Sequence, residues 1–170
     1  ESKSLLLWGG YSNVVMAGDT RFDRVNDIVS ASSAPNPVVE RFVQGKKVFV
    51  AGSTWPEDEK RIAQAIEGKG LGVIIAPHEV YPDHIRKIQE VFSQYKVVRY
   101  SQSPSDKDLA EGDILLIDCI GLLSSLYRYG QFAYIGGGFG AGIHNILEAA
   151  TYGKGVIFGP KFHKFQEARD

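Results

Sequence analysis

The sequence predicts an α/β fold in which a parallel sheet carries helices on both faces. Short β-rich runs alternate along the chain with segments of helical pattern, the order that a parallel sheet with crossover helices requires. The runs are continuously apolar, as expected of strands buried on both faces. Segments rich in glycine, serine, threonine, histidine or acids follow four of them. Open parallel sheets bind ligands beyond the carboxyl ends of their strands, so a site is expected at that edge.

The first 45 residues differ from the remainder of the chain. "NVVMAGDTRFDRVNDIV" predicts a short strand, a loop and a helix, and "SSAPNPVVERFV" predicts a turn with two prolines and then a helix. We interpret residues 1–45 as an entry segment between domains and residues 46–170 as a Rossmann-like ligand-binding domain. The chain starts without methionine and stops inside an amphipathic pattern, so we expect it to be part of a longer protein.

Six strands and four helices are predicted from residue 46 onward. The first of these helices follows Pro56 and carries acidic residues in its first turn, which favours a helix start. The last begins near Asn145, a good N-cap residue. The predicted strands are 47–51, 71–76, 96–100, 113–117, 132–135 and 156–158, and the predicted helices are 57–67, 81–95, 122–129 and 145–152.

Composition excludes several classes of protein. The 170 residues are 44% hydrophobic with a net charge of −1, so nothing in the overall charge favours a nucleic-acid partner. Cys119 is the single cysteine and therefore has no disulfide partner within the chain; its apolar surroundings predict a buried thiol. No apolar stretch approaches the ~20 residues that span a bilayer, and there is no signal-peptide pattern.

The run "GGGFGAGIHN" after the fifth strand is the strongest candidate for a ligand loop. Glycines let a ligand approach the backbone, and the helix that follows offers free N–H groups. Gly136, Gly138 and Ala141 fit the dinucleotide pattern G-x-G-x-x-A, but no acid ends the next strand, so a nicotinamide cofactor is not expected. A tight turn without a ligand is the alternative. Glu148 either closes a capping box with Asn145 or faces the site.

Other polar residues have a structural alternative as well. Ser53 and Thr54 either bind an anion or cap the following helix, and capping is favoured. His144 either touches a ligand or bonds locally, whereas His84 is predicted on an exposed helix face. The histidines lack the spacing of a metal site, and no Gly-x-Ser-x-Gly elbow predicts a hydrolase.

The segment "GIHNILEAATYGKGVIFGPKFHKFQEARD" closely resembles the 3-deoxy-D-manno-octulosonic acid (Kdo) transferases. The pieces "MAGDTRFDRV", "AGSTWPEDE", "IIAPHEVYPDHI" and "LLIDCIGLLSSLYRYGQFAYIGG" match the family in order, so the resemblance covers residues 13–170. It implies the C-terminal, donor-binding half of a GT-B glycosyltransferase of lipopolysaccharide synthesis, found in Gram-negative bacteria.

The resemblance also implies partners and location. The donor is CMP-Kdo and the acceptor is a lipid A precursor; no cofactor and no metal are expected. The catalytic base lies in an N-terminal domain absent from this chain, so no catalytic residue is expected here and the chain alone should be a soluble, inactive domain. The full-length protein is expected at the cytoplasmic face of the inner membrane through an N-terminal anchor.

The family's donor-contacting positions carry over onto three stretches of the chain, 77–78, 120–122 and 140–148. The family arginine of a Pro-Arg pair corresponds here to His78, a weaker anion ligand, so Lys161, Lys164 or a residue of the absent first domain is a candidate to replace it. Trp55 stands where other members carry histidine, and Gly155 where they often carry proline. The donor-binding residues implied are Pro77, His78, Ile120, Gly121, Leu122, Gly140, Gly142, His144, Asn145, Ile146, Leu147 and Glu148.

Two other functions remain open from the residues. The glycine loop and a site glutamate suit any nucleotide sugar, so another GT-B enzyme that uses a UDP-sugar is one alternative. A non-catalytic nucleotide-binding domain is the other. Nucleotide preference separates the first alternative from a Kdo transferase.

Overall fold

The computed structural model describes residues 7–11, 34–165 and 168, and it confirms the predicted α/β class. One six-stranded sheet runs in the order β3-β4-β2-β1-β5-β6, and every neighbouring pair is parallel. The strands are β1 (Val48–Thr54), β2 (Gly72–Pro77), β3 (Val97–Arg99), β4 (Ile114–Leu116), β5 (Phe132–Ile135) and β6 (Gly155–Phe158). The helices are α1 (Pro37–Val43), α2 (Pro56–Ile66), α3 (Pro82–Val91), α4 (Asp106–Glu111), α5 (Leu123–Leu126) and α6 (Leu147–Ala150), with 3-10 turns at Tyr100–Gln102 and Tyr127–Tyr129.

Helices cover both faces of the sheet, because adjacent residues of each strand point into different cores. Val50 and Ile74 pack with buried residues of α1, α5 and α6, whereas Ala51 and Ile75 pack with α2 and α3. All six residues of β2 are buried. This double burial is the physical reason for the continuous apolar runs in the sequence.

All six predicted strands are present, but several element boundaries differ. β1 runs to Thr54, three residues beyond the prediction, because its pairing with β2 resumes after an irregularity at Ser53. The predicted helix 122–129 is α5 followed by a 3-10 turn, and the predicted helix 81–95 ends at Val91. The last predicted helix, 145–152, is only the four-residue α6.

Helix α4 begins in the segment "SQSPSDKD", which is predicted as a loop. Ser105 accepts a hydrogen bond from the Asp108 N–H, and the Asp108 carboxylate accepts one from the Ser105 N–H, which forms a capping box. The Ser-x-x-Asp spacing was therefore the overlooked signal. The one Asp-x-Asp sequence of the chain, Asp106 to Asp108, lies in the first turn of α4. Asp106 forms an ion pair with Arg41 at 3.2 Å.

Helix α1 lies within the predicted entry segment and packs against one face of the sheet. Val39 and Phe42 are fully buried, and the Asn36 amide donates to the Tyr100 hydroxyl at 3.0 Å. The domain boundary at residue 45 stays a prediction, and the elements predicted over residues 13–29 lie outside the described residues.

Cys119, predicted to be buried, is half-buried, and burial raises the pKa of its thiol. No helix within the described ranges is both long and apolar enough to cross a membrane.

Candidate functional site

Three aromatic rings from three loops meet at the carboxyl edge of the sheet. We call Trp55, His78 and His144 the ring cluster; they follow β1, β2 and β5. The ring centroids of Trp55 and His144 lie 6.4 Å apart at an interplanar angle of 11°, and Trp55 Nε1 donates to His144 Nε2 at 3.0 Å. The His78 ring stacks on both, at 4.6 Å from Trp55 and 4.3 Å from His144. Trp55 and His144 thus lie side by side in nearly one plane, with His78 against it.

Asp58 joins this cluster to the glycine loop. It lies in the first turn of α2 and is 1% exposed. One carboxylate oxygen accepts from the Trp55 and Gly137 backbone N–H groups at 2.9 Å each, and the other accepts from the Tyr134 hydroxyl. Three donors compensate the burial of this charge. The predicted capping by Ser53 or Thr54 is wrong, because the Asp58 carboxylate bonds Trp55, the N-cap residue, from inside the helix.

A second buried acid, Glu59, supports the loop that carries His78. Its carboxylate accepts from the Thr54 hydroxyl at 3.0 Å and lies 3.0 Å from His84 Nε2. His84 Nδ1 donates to the Glu79 carbonyl at 2.8 Å. Burial raises the pKa of Glu59, and the neighbouring His84 opposes that rise.

The prediction that His84 is solvent-exposed is therefore wrong. Its exposed fraction is 8%, and it lies between α2 and the loop after β2. His84 is four residues before the fully buried Ile88, so both lie on the inner face of α3. That spacing was the available signal in the sequence.

The glycine run is explained first by close backbone packing. A Cβ on Gly136 would lie 2.1 Å from the Ser53 carbonyl oxygen, and one on Gly138 would lie 2.6 Å from the Gly159 Cα. The loop after β5 thus passes directly against the last residues of β1 and the loop after β6. Gly136 and Gly138 are therefore needed for backbone packing, whereas Gly140 has room beside its Cα. At Gly140 the nearest atom to an added Cβ would be 3.7 Å away.

A cleft of about 410 Å³ opens between the outer glycine loop and the start of α2. Lys161, a predicted anion ligand, donates from Nζ to the Gly140 carbonyl at 2.9 Å beside this loop. The cleft is lined by Trp55, Pro56, Glu57, Asp58, Lys60, Phe139, Gly140, Ala141, Gly142 and His144.

Glu148 belongs to a second group of predicted residues. Its carboxylate accepts a 2.8 Å hydrogen bond from the Ser124 hydroxyl of α5, next to Leu122. The Asn145 side chain accepts from the Leu147 N–H at 3.0 Å, at the start of α6. The alternative in which Asn145 and Glu148 form a capping box is wrong, since the N-cap residue of α6 is Ile146.

The structure divides the twelve predicted donor-binding residues into two neighbouring groups. Gly140, Gly142 and His144 line the cleft, and His78 joins them through the ring cluster, directly after Pro77. Ile120 is 85% exposed beside Gly121, which has a φ of 91°. The remaining residues, linked through the Ser124–Glu148 bond, are Leu122, Asn145, Ile146, Leu147 and Glu148. Their contact with a ligand stays a prediction.

Four residues that are not among the predicted site residues hold this edge together: Asp58, Glu59, His84 and Tyr134. Within the described part of the chain, no group of three or more His, Cys, Asp or Glu side chains is placed to hold a metal ion.

Asp118 fixes the loop after β4, where Ile120 to Leu122 lie. Its carboxylate accepts from Arg99 Nη2 at 2.7 Å and from the Ser101 N–H at 2.8 Å. Burial acts to raise the pKa of Asp118, but the hydrogen bonds from Ser101 and Arg99 outweigh burial and lower it.

The Asp118→Asn variant is expected to lose about 1.5–3 kcal/mol of unfolding free energy at pH 7. Because the folded-state pKa is the lower one, this contribution is present above pH ~4 and disappears as the pH falls through the folded-state value. Urea unfolding of both proteins at a series of pH values measures the difference. The exposed Asp83→Asn variant is the control, and a difference that stays constant down to pH 2 would contradict the assignment.

Comparison with known proteins gives relatives over most of the chain. The 3-deoxy-D-manno-octulosonic acid transferase of Rickettsia felis is 26% identical over 160 residues, 91% of this chain and 34% of that protein. A bifunctional glycosyltransferase/methyltransferase of Fusobacterium nucleatum is 34% identical over 118 residues, 67% of this chain and 18% of that protein. The chain thus spans about a third of the length of its Rickettsia relative. No protein-family model matches it.

A solved structure shares the fold. The C-terminal CMP-Kdo binding domain of WaaA from Acinetobacter baumannii superimposes with a TM-score of 0.65 at 21% identity, covering 88% of this chain and 75% of that one. The Rickettsia match runs over nearly the whole chain, and the shared fold is a C-terminal domain of the GT-B kind. The chain is therefore a homologue of the 3-deoxy-D-manno-octulosonic acid transferases and corresponds to about a third of their length.

Proposed function

We propose that this chain is the donor-binding domain of a glycosyltransferase that moves Kdo from CMP-Kdo to a lipid A precursor. The observation that carries the proposal is the match over 160 residues to a Kdo transferase. The fold shared with a CMP-Kdo binding domain agrees with it. The acceptor, the catalytic base and the attachment to the inner membrane belong to the N-terminal part of such an enzyme.

The two groups of residues at the carboxyl edge suit the two ends of a nucleotide sugar. Glu148 has a carboxylate oxygen beyond the Ser124 bond, and a carboxylate accepts hydrogen bonds from the two hydroxyls of a ribose. The cleft beside Gly140 and His144 offers backbone and imidazole donors for the phosphate and the sugar carboxylate. We propose that CMP-Kdo bridges the groups, with its nucleoside at Glu148.

The chemical task of this domain follows from the reaction. An acceptor hydroxyl attacks the anomeric carbon, the bond from that carbon to the phosphate oxygen breaks, and CMP leaves. Hydrogen-bond donors placed at the phosphate stabilise the charge that develops on it. Since the base lies in the other domain, this chain alone should bind CMP and transfer nothing.

A titration of the ¹⁵N-labelled chain with CMP and UMP tests the proposal. Shifts with CMP at the amides of residues 121, 122 and 140–148, and weaker shifts with UMP, are the expected result. Equal or stronger shifts with UMP would favour a UDP-sugar enzyme. No binding of either nucleotide would contradict donor binding by this domain.

The Glu148→Gln variant is expected to bind CMP about tenfold more weakly, because the loss of a charged acceptor costs roughly 1.5 kcal/mol. Calorimetry or the same NMR titration measures the dissociation constant. Glu90→Gln on the exposed face of α3 is the matched control and should leave the dissociation constant unchanged. Equal affinities of Glu148→Gln and the wild type for CMP would contradict ribose binding by Glu148.

A further inference from the structure

Trp55 makes a hydrogen bond to His144 that restricts the chemistry of that histidine. An indole N–H donates and cannot accept, so the 3.0 Å contact from Trp55 Nε1 needs an unprotonated His144 Nε2. A neutral imidazole with a free lone pair on Nε2 carries its proton on Nδ1. The bond therefore selects one of the two neutral tautomers and excludes the imidazolium ion.

The surroundings of His144 also favour the neutral imidazole. Burial lowers the pKa of His144, the neighbouring His78 lowers it further, and Asp58 opposes them. The other charged groups around the cleft are Glu57 and Lys60 of α2, and Lys161 bonds the Gly140 carbonyl. His144 is thus held neutral near pH 7 by its environment as well as by the indole.

Nδ1 is the remaining polar atom of the His144 ring. In the part of the chain that the structure describes, it has no hydrogen-bond partner, although the side chain lines the cleft. A Cβ built on Gly137 would meet His144 at Cδ2, 3.2 Å away, and Nδ1 lies on the other side of Cγ in the ring. A neutral N–H donor of this kind suits an oxygen of a phosphate or a carboxylate.

We propose that Trp55 is a positioning residue: it fixes His144 as the tautomer protonated on Nδ1, so that Nδ1–H donates to an anionic oxygen of the ligand in the cleft. The tautomer follows from the geometry of this chain alone. The ligand contact rests on the proposed function. Because an indole does not titrate, the same tautomer is presented at every pH at which His144 is neutral.

The test is long-range ¹H–¹⁵N NMR of the imidazoles, which distinguishes a protonated from an unprotonated ring nitrogen. The wild type should show His144 with an unprotonated Nε2 and a protonated Nδ1. In Trp55→Phe, which keeps an aromatic ring and loses the donor, the Nε2-protonated tautomer should become the major form. The pKa of His144 should also rise, because the lost bond stabilised the neutral form.

Controls separate this role from a structural one. Trp8→Phe removes the only other indole, which is 91% exposed, and should leave the His144 spectrum unchanged. Backbone amide spectra verify that Trp55→Phe is folded. An Nε2-protonated His144 in the wild type, or the same tautomer in the wild type and Trp55→Phe, would overturn the proposal.

CMP is the probe for the ligand contact. Its addition to the wild type should shift His144 Nδ1 and its proton, and Trp55→Phe should bind CMP about three- to tenfold more weakly. Binding without any change at Nδ1 would overturn the contact and leave the tautomer intact. A wild type that does not bind CMP contradicts the proposed function and the contact together, whereas the tautomer is measured without a ligand.

Discussion

Replacement of Asp58 by asparagine is expected to lower the free energy of unfolding by about 2–4 kcal/mol, because hydrogen bonds to a charged group contribute ~1.5–3 kcal/mol each. Its carboxylate accepts from Trp55, Gly137 and Tyr134, and it is almost fully buried. Asparagine has nearly the same shape, but its NH₂ group faces a donor where the carboxylate offered an acceptor. The loss is therefore electrostatic and involves no cavity.

Urea unfolding monitored by tryptophan fluorescence measures this loss. Glu57→Gln changes the preceding residue of the same helical turn and is the matched control. Its 2.8 Å pair with Arg61 is exposed, so the expected cost is below ~1 kcal/mol. Tyr134→Phe removes one of the three donors and should fall between the two. Similar stabilities of Asp58→Asn and Glu57→Gln would show that the buried network does not stabilise this edge.

Gly136→Ala is the second change with a large expected effect, a loss of about 3 kcal/mol or failure to fold, because overpacking against a rigid backbone costs ~1–3 kcal/mol and at times more. The added Cβ would lie 2.1 Å from the Ser53 carbonyl oxygen and 2.7 Å from the Thr54 Cα. Neither is the end of a flexible side chain, so β1 and β5 would have to separate where their pairing ends.

Gly140→Ala, four residues further along the same loop, is the control. Its Cβ would meet its nearest neighbour at 3.7 Å, an ordinary contact, so the stability should change by less than about 1 kcal/mol. Thermal unfolding of the two variants beside the wild type gives the comparison. A loss in Gly140→Ala as large as in Gly136→Ala would mean that the outer glycines are needed for packing as well as the inner ones.

The regular elements were the easier part to predict. Strands buried on both faces leave continuous apolar runs, so β2 and β5 could be placed to within a residue. The short α4 has no apolar periodicity beyond Leu109, and its capping box was the one local signal. The start of α6 carries a hydrogen bond from the Leu147 N–H to the Asn145 side chain, and the residue type alone does not fix the rotamer that makes this bond.

The sequence by itself determined the α/β class, the order of the strands along the chain and the resemblance to a family, because burial and motif spacing are local properties of the chain. Only the tertiary structure decided what the polar residues do. Asp58 and Glu59 are predicted only to favour the start of α2; Asp58 does bond the N-cap Trp55, but each acid is also buried against a partner from another loop or helix. Likewise, Trp55 and His144 are 89 residues apart and share a hydrogen bond because β1 and β5 are neighbours in the sheet. Contacts between distant loops arise from strand order, and strand order in space is set by the packing of the whole chain.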